Sequence, residues 1–158
     1  MTNQTEVSMG QHQTSRAKPA DVDAQKILIV DDEPPMQLLA ASIIERLGHT
    51  PVTVASGEEA VEMFQKHARG LSPFSVVIMD LALPGGMSGL EATITIKQMC
   101  PDAKVIVSSG YLEQNTRRAA LEHGFVGILP KPYTAERLAS ELRWVLKQRA
   151  TEPEAQSV

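Results

Sequence analysis

The stretch that most constrains the fold is Val76-Val77-Ile78-Met79-Asp80. An unbroken apolar run meets a single carboxylate, and Leu81-Ala82-Leu83 then leads at once into Pro84, Gly85 and Gly86. A strand with one wet face alternates apolar and polar residues. A continuous apolar run of this length reads instead as a strand buried on both faces, as in a parallel sheet. Asp80 is then delivered to the strand's carboxyl end, the edge at which open parallel α/β sheets bind ligands. Lys26-Ile27-Leu28-Ile29-Val30 repeats the pattern and ends in Asp31, Asp32 and Glu33. Val105-Ile106-Val107 ends in Ser108-Ser109-Gly110, and Phe125-Val126-Gly127-Ile128-Leu129 ends in Pro130-Lys131-Pro132.

Helical spacing fills the gaps between these runs. Pro34 and Pro35 suit a first helical turn. Met36, Leu39, Ala40, Ile43, Ile44 and Leu47 keep a helical stripe that Gly48 closes. Val52 and Val54 flank Thr53 in a more exposed strand. Ser56-Gly57-Glu58-Glu59 reads as a helix start with acid in its first turn, and Ala60, Val61, Phe64 and Ala68 form its apolar face. Leu90 to Met99, and about Gln114 to His123, read as two further helices. Thr134 is the expected N-cap of the last one, whose buried stripe is Ala135, Leu138, Leu142, Val145 and Leu146. Five strands alternating with five helices predict a parallel sheet covered on both sides, within one domain. Met1 to Gln25 is polar and aperiodic and reads as a disordered leader; residues 150–158 read as a polar tail.

Composition removes several function classes. Aromatics are 4% of the chain and the net charge is −4, so neither base-stacking surfaces nor a direct nucleic-acid contact is expected. The one cysteine, Cys100, excludes an internal disulfide and suits a reducing cytoplasm. No apolar run approaches a membrane span, so no membrane contact is expected. The four histidines show no metal-ligand spacing with one another or with Cys100.

All carboxyl ends of a parallel sheet share one edge. Asp31, Asp32 and Asp80 therefore converge, with Ser109 and Lys131 beside them. Crowded carboxylates repel, and a divalent cation relieves that; oxygen ligands with retained waters suit Mg²⁺. A hydroxyl and a lysine next to such a cluster suit a phosphoryl group, and a carboxylate can accept one as a nucleophile.

The pattern Val30-Asp31-Asp32, Met79-Asp80, Pro84-Gly85-Gly86-Met87-Ser88-Gly89, Ser108-Ser109-Gly110 and Leu129-Pro130-Lys131-Pro132 resembles a two-component response-regulator receiver domain of the chemotaxis type. The likeness covers residues 26–149. The Pro-Gly-Gly-Met and Ser-Ser-Gly-Tyr stretches most resemble receivers attached to hybrid sensor histidine kinases. The resemblance implies a flavodoxin-like receiver fold, with a five-stranded parallel doubly wound sheet in the order 2-1-3-4-5. It implies that Asp80 accepts the phosphoryl group and that Asp32, Asp80 and the Ala82 carbonyl bind Mg²⁺ directly, with Asp31 acting largely through water. Lys131 would pair with phosphoryl oxygens, Ser109 would supply the switch hydroxyl, and the Lys131–Pro132 bond would be cis. The implied partners are a sensor histidine kinase or phosphotransfer protein and a further, unidentified downstream protein. The latter would read the surface of the fourth helix, fifth strand and last helix. The chain itself would be a monomer or weak dimer and not an independent enzyme. Ile128 stands where the family's aromatic switch residue is usual. Ala82 offers no polar side chain to position a hydrolytic water, and Tyr111 stands near enough to cover the site. Slow self-dephosphorylation follows, and a half-life of seconds at neutral pH would count against it.

Other readings compete. An aspartyl-phosphate phosphatase usually needs a second carboxylate two residues after its nucleophile, and that position is Ala82. A flavin module would need a phosphate-cradling loop after the first strand, where Asp31-Asp32-Glu33 has the wrong charge. A non-phosphorylated scaffold has no need of the intact acids, hydroxyl and lysine. Asp31 and Asp32 as mere helix caps, Cys100 as a buried small hydrophobe, and Trp144 packed against a neighbouring helix are the plain structural expectations.

Overall fold

The computed structural model describes residues 23–71, 73–110, 118 and 121–148. In chain order the elements are β1 (Lys26–Val30), α1 (Pro34–Arg46), β2 (Thr50–Val54), α2 (Gly57–Ala68), β3 (Val76–Asp80), α3 (Gly89–Met99), β4 (Val105–Ser109), β5 (Gly127–Pro130) and α4 (Ala135–Lys147). Between β4 and β5, Arg118, Leu121 and Glu122 are helical; the rest of the helix expected from Gln114 lies largely outside the described residues. So do the leader up to residue 22 and the tail from 149.

The five strands form one sheet in the order β2-β1-β3-β4-β5, and all pairs are parallel. The continuous apolar runs occupy its centre, and every residue of β3 and β4 is buried. Alternation sends the side chains into two cores. Leu28, Val30, Val77, Met79, Val105 and Val107 pack with Phe64, Ala92 and Ile96 of α2 and α3. Ile27, Ile29, Val76, Ile78, Ile106 and Leu129 pack with Ile43, Ile44, Leu138 and Leu142 of α1 and α4. Leu138 and Leu142 are fully buried, and burying a leucine contributes about 1.5–3 kcal/mol.

The helix ends follow local chemistry. Ser56 and Thr134 accept from the backbone N–H three residues on. At α3, Ser88 and Glu91 form a reciprocal capping box, and those hydrogen bonds, led by the one from the Ser88 backbone, hold the Glu91 carboxyl below its usual range.

Four local expectations are corrected. Leu39 is 39% exposed rather than inside the α1 stripe, and Leu38 is more exposed still; α1 buries only its narrow Ala40–Ile43–Ile44 face against α4. Ala135 is exposed and Ala139 takes its place in the α4 stripe. β5 begins at Gly127, not Phe125, because Phe125 turns into the α2–α3 core before the ladder starts. Trp144, expected against a neighbouring helix, is instead 54% exposed, since the core-facing side of α4 is filled by Leu138, Leu142 and Val145.

Candidate functional site

The strand register builds the site. Ile29 pairs with Ile78 and Val30 with Met79, so Asp31 and Asp80 stand side by side where β1 and β3 end. Asp31 and Asp80 are buried, and Asp32 is half-buried beside them. Carboxylate oxygens of the three lie within 4.8 Å of one another. Lys131, just past β5, reaches back across β4. Its Nζ donates to Asp31 Oδ2 at 2.7 Å and Asp80 Oδ2 at 2.9 Å, and lies 3.4 Å from Glu33 Oε1. The Lys131–Pro132 bond is cis.

The remaining carboxylate oxygens are held by backbone. Asp80 Oδ1 accepts from Ala82 N at 2.8 Å, and Asp31 Oδ1 accepts from Glu33 N at 2.9 Å. Asp31 therefore does not cap α1, whose N-cap is Glu33 with no side-chain cap bond. Burial pushes the Asp31 carboxyl above its usual range, against the pull of Lys131 and the Glu33 amide. Burial alone would lower the Lys131 ammonium, but its bonds to Asp31 and Asp80 outweigh that and hold it above its ordinary value. Burial, then the Asp31 charge, pushes the Tyr133 phenol up to about 12. Lys131 thus pairs with three carboxylates, Asp31, Glu33 and Asp80, and Asp32 adds a fourth negative charge beside them. The excess negative charge and the all-oxygen donor set fit a hard divalent cation.

Above these groups lies an open cleft lined by Asp32, Glu33, Met36, Asp80, Ala82, Gly110, Lys131 and Pro132. Ser109 is buried at the end of β4, and its carbonyl accepts from Lys131 N at 2.9 Å. The expected set of Asp31, Asp32, Asp80, Ala82 and Lys131 thus meets in one place, with Ser109 one residue beyond the ladder partner of Asp80. Tyr111 lies outside the described residues.

Two supporting residues, Gln37 and Glu58, had no sequence signal for their roles. Gln37 Nε2 donates to the Asp31 carbonyl at 2.5 Å and the Val54 carbonyl at 3.2 Å, tying α1 to the ends of β1 and β2. Glu58 Oε1 accepts from Met87 N at 2.6 Å, which latches the β3–α3 loop to the start of α2. Gly89 is needed for close approach: a Cβ there would lie 2.0 Å from the Asp80 carbonyl oxygen.

An open doubly wound sheet with an acid cluster and a lysine at its carboxyl edge defines a class, and comparison with known proteins names it. The response regulator receiver domain matches residues 27–143, and the chain belongs to that family, the receiver of two-component signalling. It is 40% identical over 126 residues to the transcriptional activator protein ExaE of Pseudomonas putida, covering 78% of this chain and 56% of that one. It is 31% identical over 146 residues to the sensor protein GacS of Pseudomonas syringae pv. syringae, covering 88% of this chain and 15% of that one. Among solved structures it resembles NtrX from Brucella abortus, with a TM-score of 0.71 and 29% identity over 78% of this chain and 27% of that one. The chain spans about half of ExaE and smaller parts of the other two. Among the described residues no helix is long and apolar enough to cross a membrane.

Proposed function

We infer that this receiver accepts a phosphoryl group on Asp80 from the phosphohistidine of a sensor kinase or phosphotransfer protein. The observation that carries this is Lys131 Nζ bridging Asp31 and Asp80, with Asp32 alongside, at the mouth of an open cleft. An Asp80 carboxylate oxygen attacks phosphorus. The Oδ–P bond forms, the P–N bond breaks, and its electron pair stays with the departing imidazole. Lys131 moves with the developing charge from the carboxylate to the phosphoryl oxygens. Ala82 N–H keeps the carboxyl group oriented, and Ser109 brings a hydroxyl to the phosphoryl group. Asp32, Asp80 and the Ala82 carbonyl are the residues that would hold Mg²⁺, with Asp31 through water. When bound, the ion would neutralise phosphoryl charge.

The output is a changed affinity for a downstream protein, produced by shifting a two-state equilibrium. The single receiver spans residues 26–149 and acts in the cytoplasm, as a monomer or weak dimer. The test is to load the chain with acetyl phosphate and Mg²⁺, trap the acyl phosphate by borohydride reduction and map the peptides. Label at residue 80 is expected; label at another carboxylate overturns the assignment.

A further inference from the structure

Ser108 is 2% exposed, and its Oγ has no hydrogen-bond partner among the described residues. Native proteins rarely leave a buried hydroxyl unmet, because it loses water without gaining a partner. Its position gives the orphan a meaning. Ser108 is the ladder partner of Asp80 on one side and of Leu129 on the other. Val76, Ile78, Ile106 and Leu129 share the core beneath α1 and α4. Alternation therefore puts Asp80 and Ser108 on that same face, on adjacent strands about 4.8 Å apart. The backbone is tied in as well: the Ser108 carbonyl accepts from Leu81 N at 3.2 Å, directly after Asp80.

In the unphosphorylated chain both Asp80 oxygens are occupied, Oδ2 by Lys131 and Oδ1 by Ala82 N–H. Phosphorylation, as read above, moves the charge to the phosphoryl oxygens and takes Lys131 with it. The oxygen bonded to phosphorus no longer needs Lys131, and the acyl carbonyl oxygen, bonded by Ala82 N–H, has a second lone pair that can accept another donor.

We propose that the Ser108 hydroxyl, unmet in the resting chain, donates to the Asp80 acyl group once Asp80 is phosphorylated, so that β4 carries a second, inner switch hydroxyl besides Ser109. Ser108 is then a positioning residue that favours the phosphorylated state. The inference rests on Asp80 as phosphoacceptor.

The test uses Mg²⁺ with beryllofluoride as a phosphoryl mimic, titrated against the wild-type chain, Ser108→Ala, Ser108→Cys and Asp80→Asn, with the melting temperature of each unloaded chain measured alongside. Ser108→Ala is expected to melt no lower than wild type when unloaded, since it removes an unmet hydroxyl. Its beryllofluoride Kd is expected to rise about fivefold, the loss of one neutral hydrogen bond, with Ser108→Cys in between. An unchanged Kd overturns the proposal. A raised Kd accompanied by a lower unloaded melting temperature overturns it too, because the hydroxyl is then serving the resting fold. Failure of the wild type to bind beryllofluoride any better than Asp80→Asn removes the phosphoacceptor reading itself.

Discussion

Lys131→Met keeps most of the aliphatic stem and deletes the ammonium. The side chains concerned are 13% exposed for Lys131, 6% for Asp31 and 3% for Asp80, so water screens them little. Nζ makes two short bonds, at 2.7 and 2.9 Å; the 3.4 Å approach to exposed Glu33 adds little. Removing one partner of a buried ion pair leaves uncompensated charge and costs about 3–5 kcal/mol. With a urea m-value of about 2 kcal/mol/M, the unfolding midpoint at pH 7 falls by about 1.5–2.5 M. The pH dependence has a definite sign. Burial already raises the folded Asp31 carboxyl above 3.8, and Lys131→Met removes the ammonium that pulls it back, leaving only the Glu33 amide. A raised folded carboxyl contributes stability that is present below the unfolded value and lost as pH rises through the folded one. The deficit of the variant therefore shrinks as pH falls from 7 towards 4, and millimolar Mg²⁺ restores more stability to the variant than to wild type. Urea unfolding followed by circular dichroism reads all three. A variant as stable as wild type at pH 7, or a deficit independent of pH, refutes the reasoning.

Further predictions concern the frame around the site. Gly89→Ala would press a methyl against the Asp80 carbonyl; it is expected to cost about 1–3 kcal/mol and to slow acetyl-phosphate labelling, read by urea titration and intact mass. His49 is buried and its Nδ1 accepts from Gln25 N at 3.2 Å. Burial lowers its folded pKa below 6.5, so stability is present above pH 6.5 and is lost as pH falls through the lowered value. His49→Asn should flatten the melting temperature over that acid window. The acyl phosphate should decay over minutes or longer, since the Ala82 side chain is an exposed methyl at the cleft; chase of the labelled chain by mass spectrometry measures it, and decay within seconds contradicts the role given to Ala82.

The site's chemistry was largely readable because it sits at the ends of unbroken apolar runs. After Lys26, β1 is apolar through Val30, and β3 is apolar until Asp80 closes it, so the first acid of each run had to lie at the sheet edge. Which face each side chain takes was less readable. Ser108 and Ser109 are adjacent in sequence, and only the pairing of β4 with β3 shows that Ser108 stands in the Asp80 row. Gln37 and Glu58 carry no motif, because their work is done on carbonyl and amide groups distant in sequence. Leu38, Leu39 and Trp144 show the limit of helical periodicity: hydrophobic residues off the main stripe stay exposed when the neighbouring helix covers a narrower face than the pattern suggests.

Intact-mass spectrometry of the chain with acetyl phosphate, with and without Mg²⁺ and beside Asp80→Asn, tests the central claim most directly. A gain of one phosphoryl mass that requires both Mg²⁺ and Asp80 is the predicted result. No gain under excess donor and Mg²⁺, with the fold verified, contradicts the phosphoacceptor role and leaves a scaffold. Continuous release of inorganic phosphate with no stable adduct contradicts it in favour of a phosphatase.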